Sequence, residues 1–107
     1  MSELTLNEKY AMTCKEYGIM NTPFGTRFAR AEEPWGDCPD YLSSDAELGA
    51  MVRALIKIGI LEFCDSACGY CRVTRNDGKD NYLGNNLNEA AASACIALKL
   101  RVEGGLT

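Results

Sequence analysis

Residues 44–84 read SDAELGAMVRALIKIGILEFCDSACGYCRVTRNDGKDNYLG, and the spacing of their apolar side chains changes at Gly59. From Leu48 to Ile58 the apolar side chains recur every three or four residues, which predicts an amphipathic helix over 45–58. After Gly59 the period falls to about two, which is typical of β-strands. A helix that leads directly into a group of strands indicates an α+β fold.

The strands are predicted to form an antiparallel meander over residues 60–84. The Asp77-Gly78 dipeptide favours a two-residue hairpin turn, because such turns need positive φ at both central positions. This turn would pair Val73 with Tyr82. The three predicted strands are Ile60–Asp65, Gly69–Arg75 and Asp80–Gly84.

Three helix starts share one pattern, in which a capping residue is followed three positions later by a glutamate. The two side chains are predicted to cap reciprocally, each accepting a hydrogen bond from the backbone N–H of the other residue. The pairs are Thr5 with Glu8, Ser44 with Glu47, and Asn86 with Glu89. They predict helices over about 6–17, 45–58 and 87–102, the first of which ends before Gly18. Between the first two helices, residues 19–43 contain three prolines and are predicted to form a long loop with at most one edge strand, around Thr26–Arg30.

These elements predict one domain over residues 1–107 and a fold of the α+β class. Its centre would be a small antiparallel sheet of three to four strands, packed with three helices in an α/β/α sandwich-like arrangement. The predicted core comprises Leu48, Val52, Leu55, Leu61, Phe63, Val73, Cys95 and Leu98.

The composition narrows the class of protein. The chain has 107 residues and a formal net charge of -4, which disfavours direct binding to nucleic acid. The N-terminus shows no export signal and no segment is long and apolar enough to span a membrane, so we expect a cytoplasmic protein with reduced cysteines.

From Tyr41 to Leu100 the pattern resembles the phage ABA sandwich family of small phage and prophage proteins. The matching segments are DYLSSDAELGAMVRALIKIGI and NLNEAAASACIALKL. The resemblance implies a small sheet with helices on both faces and a phage or prophage origin. It carries no catalytic or ligand-binding residue to this chain.

The sequence offers few groups for catalysis. Histidine is absent, so the commonest general base and the commonest nitrogen ligand for metals are missing. The paired carboxylates of the 19–43 loop lack the apolar setting that raises a carboxyl pKa, and they are typical of a solvated rim. We therefore predict a protein that is not an enzyme and needs no cofactor.

A binding function is the alternative to catalysis. Residues 32–47 contain six carboxylates and no basic side chain, which indicates a surface that competes for the nucleic-acid-binding groove of a partner protein. The resemblance to phage proteins implies that this partner is a host protein, for example a bacterial defence protein, which the chain binds and inhibits. The same acidic stretch is also typical of a surface that only confers solubility. The predicted partner-binding residues are Glu32, Glu33, Trp35, Asp37, Asp40, Arg72 and Arg75.

A second hypothesis is capture of a small nucleotide by Arg72, Arg75 and Lys79 near the predicted turn. A homodimer is also expected, because a small meander leaves edge strands open. Its interface would lie at an edge near Tyr70, Tyr82 and Leu83.

The segment CDSACGYC, residues 64–71, resembles the cluster-binding loop of radical S-adenosylmethionine enzymes. Side chains alternate between the two faces of a strand, so Cys64 and Cys71 are predicted to lie on opposite faces and Cys68 in the turn. This arrangement predicts no bound metal. A cysteine-rich metal-binding protein using these three thiols remains the alternative.

Overall fold

The computed structural model describes residues 4–65, 69–75 and 78–105, and it confirms an α+β fold with three helices and antiparallel sheets. The turn residues Cys68 and Asp77 lie outside the described residues. The elements are α1 (Leu6–Cys14), β1 (Gly18–Thr22), β2 (Gly25–Ala29), a one-turn 3₁₀ helix (Tyr41–Ser43), α2 (Asp45–Ile58), β3 (Ile60–Asp65), β4 (Gly69–Arg75), β5 (Gly78–Gly84) and α3 (Leu87–Ala97).

All three helices begin where the capping residues predict, but only α1 has the complete reciprocal pattern. Thr5 Oγ1 accepts a hydrogen bond from the Glu8 N–H, and Glu8 Oε1 accepts one from the Thr5 N–H. At α2, Ser44 Oγ accepts from the Glu47 N–H, while the Glu47 side chain turns into the core. The prediction that Glu47 caps its own helix start is therefore wrong.

Two helices end earlier than predicted. Helix α1 stops at Cys14 instead of residue 17, and Glu16, with a φ of 62°, turns the chain before Gly18 opens β1. Helix α3 stops at Ala97 instead of residue 102. In both cases tertiary contacts override helical periodicity, since Val102 must leave the helix for its N–H to donate to the Cys14 carbonyl at 2.9 Å.

The predicted 19–43 loop is wrong in part, because β1 and β2 form an antiparallel hairpin at its start. The strand predicted around Thr26–Arg30 corresponds to β2, and β1 was not predicted. Phe28 is buried and Ile19, its partner across the hairpin, packs against the core. Only the base of the hairpin is thus anchored in the protein.

The three-stranded sheet has the order β3-β4-β5 with both pairs antiparallel, as predicted. The pairing of Val73 with Tyr82 is wrong: Val73 lies opposite Asp80, and Cys71 opposite Tyr82. Because the register differs by two residues, every side chain still faces the predicted side of the sheet. The changed register allows Arg75 to reach Asp80 at 2.8 Å.

Helix α3 covers one face of this sheet, over β4 and β5, and α1 and α2 pack against α3. Close approach requires glycine at two positions, since a Cβ on Gly69 would lie 1.8 Å from the Asn86 carbonyl oxygen and one on Gly84 would lie 2.6 Å from the Glu89 Cβ. On the opposite face, Ile60 and Leu83 are exposed. Within the described ranges, the second helical layer implied by the family resemblance does not cover these two side chains.

The core contains most of the predicted residues. Leu55, Val73 and Cys95 are buried, and the other aliphatic members are partly buried. Phe63 is the exception, with 56% of its surface exposed. It lies on the covered side of the sheet, opposite buried Cys71, but α3 packs over β4 and β5 and leaves this part of β3 open.

Candidate functional site

The tip of the β1–β2 hairpin holds an aromatic side chain in solvent. Strands β1 and β2 are joined through Pro23 and Phe24, and Gly25 has a φ of 125° that only glycine adopts readily. Thr22 Oγ1 donates to the Gly25 carbonyl at 2.6 Å and accepts from the Phe24 N–H at 3.2 Å. Proline and these two bonds restrict the turn, and Phe24 is 92% exposed.

A second aromatic side chain lies on the exposed face of the same hairpin. The six-membered ring of Trp35 reaches Gly18, where a Cβ would be 3.8 Å away, and half of the Trp35 side chain remains exposed. Met20 and Arg27 are cross-strand partners on this face. We call the set of Met20, Phe24, Arg27 and Trp35 the hairpin surface.

The segment after β2 is tied to the hairpin by hydrogen bonds and ion pairs. Phe28 and Gly36 exchange two backbone hydrogen bonds of 2.7 and 2.9 Å. Arg27 Nη1 lies 3.0 Å from Asp37 Oδ1, and Arg30 Nη2 lies 3.3 Å from Glu33 Oε2. These contacts hold the Trp35 segment against the hairpin.

The acidic stretch is less negative in three dimensions than along the chain. Arg27 and Arg30 bring positive charge to Asp37 and Glu33, and Glu47 is buried. Glu32, Asp40 and Asp45 are the other exposed carboxylates of the stretch. The stretch is therefore mixed in charge on the folded surface, because two of its carboxylates are paired with arginines and one is buried.

The two predicted arginines do not converge on a common ligand. Arg72 lies on the uncovered face of the sheet, 2.9 Å from Asn81 and 3.6 Å from Glu62, with its guanidinium over the Tyr70 ring. Strand alternation places Arg75 on the opposite face, where it contacts Asp80. The geometry thus gives the nucleotide hypothesis no common anion site between Arg72 and Arg75.

The prediction that Cys64 and Cys71 lie on opposite faces of the sheet is confirmed, while Cys68, the third cysteine of that segment, lies outside the described residues. Cys64 is exposed opposite Tyr70, whereas Cys71 is buried opposite Phe63, so they lie on opposite faces of the sheet. Burial raises the pKa of Cys71 to about 11. Within residues 4–65, 69–75 and 78–105 no group of three cysteine or carboxylate side chains is arranged to hold a metal ion.

A buried ion pair between Lys15, the residue that follows α1, and Glu47 of α2 was not predicted. Lys15 Nζ lies 3.1 Å from Glu47 Oε2, and both side chains are almost completely buried. The ammonium also donates to the carbonyls of Val102 and Gly104 at 3.0 Å. Glu47 lies three residues after the N-cap Ser44, where a glutamate is expected to cap the helix at the surface. For this reason the sequence did not indicate that Glu47 is buried.

Tyrosine hydroxyls complete this buried polar cluster. Tyr10 donates a short hydrogen bond to Glu47, and Tyr41 donates to the Tyr17 hydroxyl at 2.9 Å. Burial and the Glu47 carboxylate raise the pKa of Tyr10, while burial raises that of Tyr41. Because Tyr10, Tyr41 and Glu47 have no exposed surface, the cluster acts as a structural clamp and is closed to a substrate.

The chain is a small α+β protein with an aromatic hairpin surface and a closed polar core. No protein-family model, curated protein or solved structure matches it. Among the described residues, none of the helices has the length and apolar character needed to cross a membrane. The function is therefore argued from the geometry of the hairpin and the sheet.

Proposed function

We propose that this protein is a non-enzymatic binding protein that attaches to a host protein through the hairpin surface and inhibits it. The observation that carries the proposal is Phe24, which is 92% exposed on a restricted turn. A bacterial defence protein in the host cytoplasm is the proposed target. This choice of target follows from the resemblance to small phage proteins.

An exposed aromatic side chain on a rigid turn suits a protein partner. Phenylalanine buries about 150–250 Å² when it enters a pocket, and residues that dominate binding energy are commonly aromatic. A turn already held by Thr22 and Pro23 loses little conformational entropy on binding. Trp35, Met20 and Arg27 add residue types that are enriched in interfaces.

The charge around the hairpin surface indicates the kind of partner. Glu32, three residues before Trp35, is exposed, and the chain carries a net charge of -4. A target with an apolar pocket surrounded by basic side chains would match this surface and would be attracted over long range. The same charge opposes direct contact with nucleic acid.

The alternatives receive less support from the contacts. The polar cluster around Glu47 is buried, so its groups cannot reach a substrate. Arg72 and Arg75 face opposite sides of the sheet, each beside a carboxylate, and Cys64 and Cys71 are separated in the same way. Lys79 shares the face of Arg72 but not that of Arg75, so the three cations of the nucleotide hypothesis do not converge on one site.

The proposal is tested by tagging the protein and recovering its partner from a bacterial host lysate. Dissociation constants are then measured by calorimetry for Phe24→Ala and for Leu83→Ala, a matched control because Leu83 is also largely exposed but lies on β5. We expect Phe24→Ala to raise the dissociation constant about 30-fold, the equivalent of about 2 kcal/mol, and Leu83→Ala to change it less than threefold.

A second readout separates binding from inhibition. Phage plating efficiency on a host with an active defence system should rise when the wild-type protein is expressed, and should not rise with Phe24→Ala. A partner that binds Phe24→Ala as tightly as wild type would show that the hairpin surface is not the binding site.

A further inference from the structure

Strand β3 is an edge of the sheet that no described element pairs with on its outer side. The strand order is β3-β4-β5, so one row of β3 backbone donors and acceptors faces β4 and the other row faces away from the sheet. Its side chains are mainly apolar along both faces. Ile60 is 68% exposed and Phe63 56% exposed, and Ile56 of the adjoining helix α2 is also exposed.

The other edge of the sheet is protected in ways that β3 is not. Strand β5 carries the charged residues Lys79 and Asp80, and charged side chains of this kind discourage pairing between edges. β3 has one charged residue among its first five, Glu62, and Arg72 lies 3.6 Å from that carboxylate.

The exposure of Phe63 indicates that the apolar layer of the protein is incomplete beside β3. It shares a face with buried Cys71 and Val73, so it belongs to the apolar layer beneath the helices. The helices stop short of it, and the layer is incomplete at this edge. An element that covers Phe63 and also pairs with the open backbone of β3 must be an extended strand with an apolar side chain at the matching position.

We propose that this element is β3 of a second copy of the chain, paired antiparallel about a two-fold axis at Phe63. Such an axis keeps each side chain on its own face, so Phe63 of one copy lies against Phe63 of the other and extends the apolar layer. Glu62 then lies opposite Cys64 of the second copy, which avoids two carboxylates facing each other. The two sheets become one sheet of six strands.

The size of this contact predicts a weak dimer. With the axis at Phe63, residues 61–65 of the two strands pair, and a pair of five-residue strands with a few apolar side chains belongs to the class of interfaces below about 1,200 Å² in total. We therefore expect dissociation in the micromolar range. Of the residues predicted from sequence to lie at the dimer edge, Tyr70 lies on the central strand, whereas Tyr82 and Leu83 lie on the edge strand β5. We place the pairing at β3 because its exposed side chains are the more apolar.

Sedimentation equilibrium over about 1–500 µM tests the pairing. The wild type should change from 11.7 kDa to twice that mass as concentration rises. Phe63→Lys, which places two like charges at the axis, should raise the dissociation constant at least tenfold, whereas Leu83→Lys on β5 should leave it within twofold. Because Phe63 is more than half exposed, the lysine variant should keep the wild-type circular dichroism spectrum.

Disulfide trapping tests the register. Under mild oxidation, Glu62→Cys should form a dimer linked from position 62 to Cys64 of the second copy, and the double variant Glu62→Cys/Cys64→Ser should not form it. A monomer at every concentration, a dimer that survives Phe63→Lys, or one lost in Leu83→Lys would overturn the proposal. Phe24→Ala should leave the dimer unchanged, so this test is independent of host-protein binding.

Discussion

Replacement of Glu47 by glutamine should destabilise the protein severely, since it leaves the buried Lys15 ammonium without its counter-charge. Two unit charges 3.1 Å apart attract by about 5 kcal/mol at an effective dielectric constant of about 20. The carbonyls of Val102 and Gly104 still accept hydrogen bonds from the ammonium, but they carry no full charge. We expect Glu47→Gln to lower the free energy of unfolding by about 3–5 kcal/mol.

A double-mutant cycle separates the ion pair from other effects of substitution. Lys15→Met alone should also destabilise the protein, because it leaves the buried Glu47 carboxylate without its counter-charge. The double variant Lys15→Met/Glu47→Gln contains neither charge, so its loss should be at least about 2 kcal/mol smaller than the sum of the single losses.

Urea titration at pH 7 measures all four proteins of this cycle. With a slope of about 1–2 kcal/mol per molar urea, a loss of 4 kcal/mol moves the midpoint by at least about 2 M. Tyr10→Phe is a control that removes only one hydrogen bond to Glu47 and should cost about 1–3 kcal/mol. Additive losses in the cycle would refute the reasoning, since they would mean that the two charges do not interact across the core.

Two further predictions concern the thiols. Burial raises the pKa of Cys14 to about 12 and that of Cys71 to about 11, so the folded protein holds these protons to a higher pH than the unfolded chain does. The stability that these two protonated thiols contribute is therefore complete below about pH 9 and is lost as the pH rises towards 11–12. A midpoint of urea unfolding that stays constant from pH 8 to 11 would contradict this prediction. Maleimide labelling of the native protein, mapped by mass spectrometry, should modify the exposed Cys64 before the buried Cys71. Elemental analysis should find no stoichiometric iron or zinc, and one metal ion per chain would contradict the separation of these thiols on opposite faces.

Local patterns were sufficient to predict the start of each helix, the limits of α2 and the antiparallel meander. Capping residues act within four positions, and the apolar periods of 3.6 and 2 are properties of one segment at a time. The same alternation predicted that Cys64 and Cys71 lie on opposite faces. That result does not depend on the exact register, because a shift of two residues preserves the face of every side chain.

Tertiary contacts decided which side chains became core and which became surface. No local signal distinguishes a capping glutamate from one that is buried beside Lys15, a residue 32 positions away in sequence. The exposure of Phe63 depends on where the contact between α3 and the sheet ends. The exposure of Phe24 depends on a hairpin whose first strand shows little alternation of apolar and polar side chains. Whether these side chains are buried or exposed depends on contacts between residues far apart in the sequence, so it could be determined only from the folded structure.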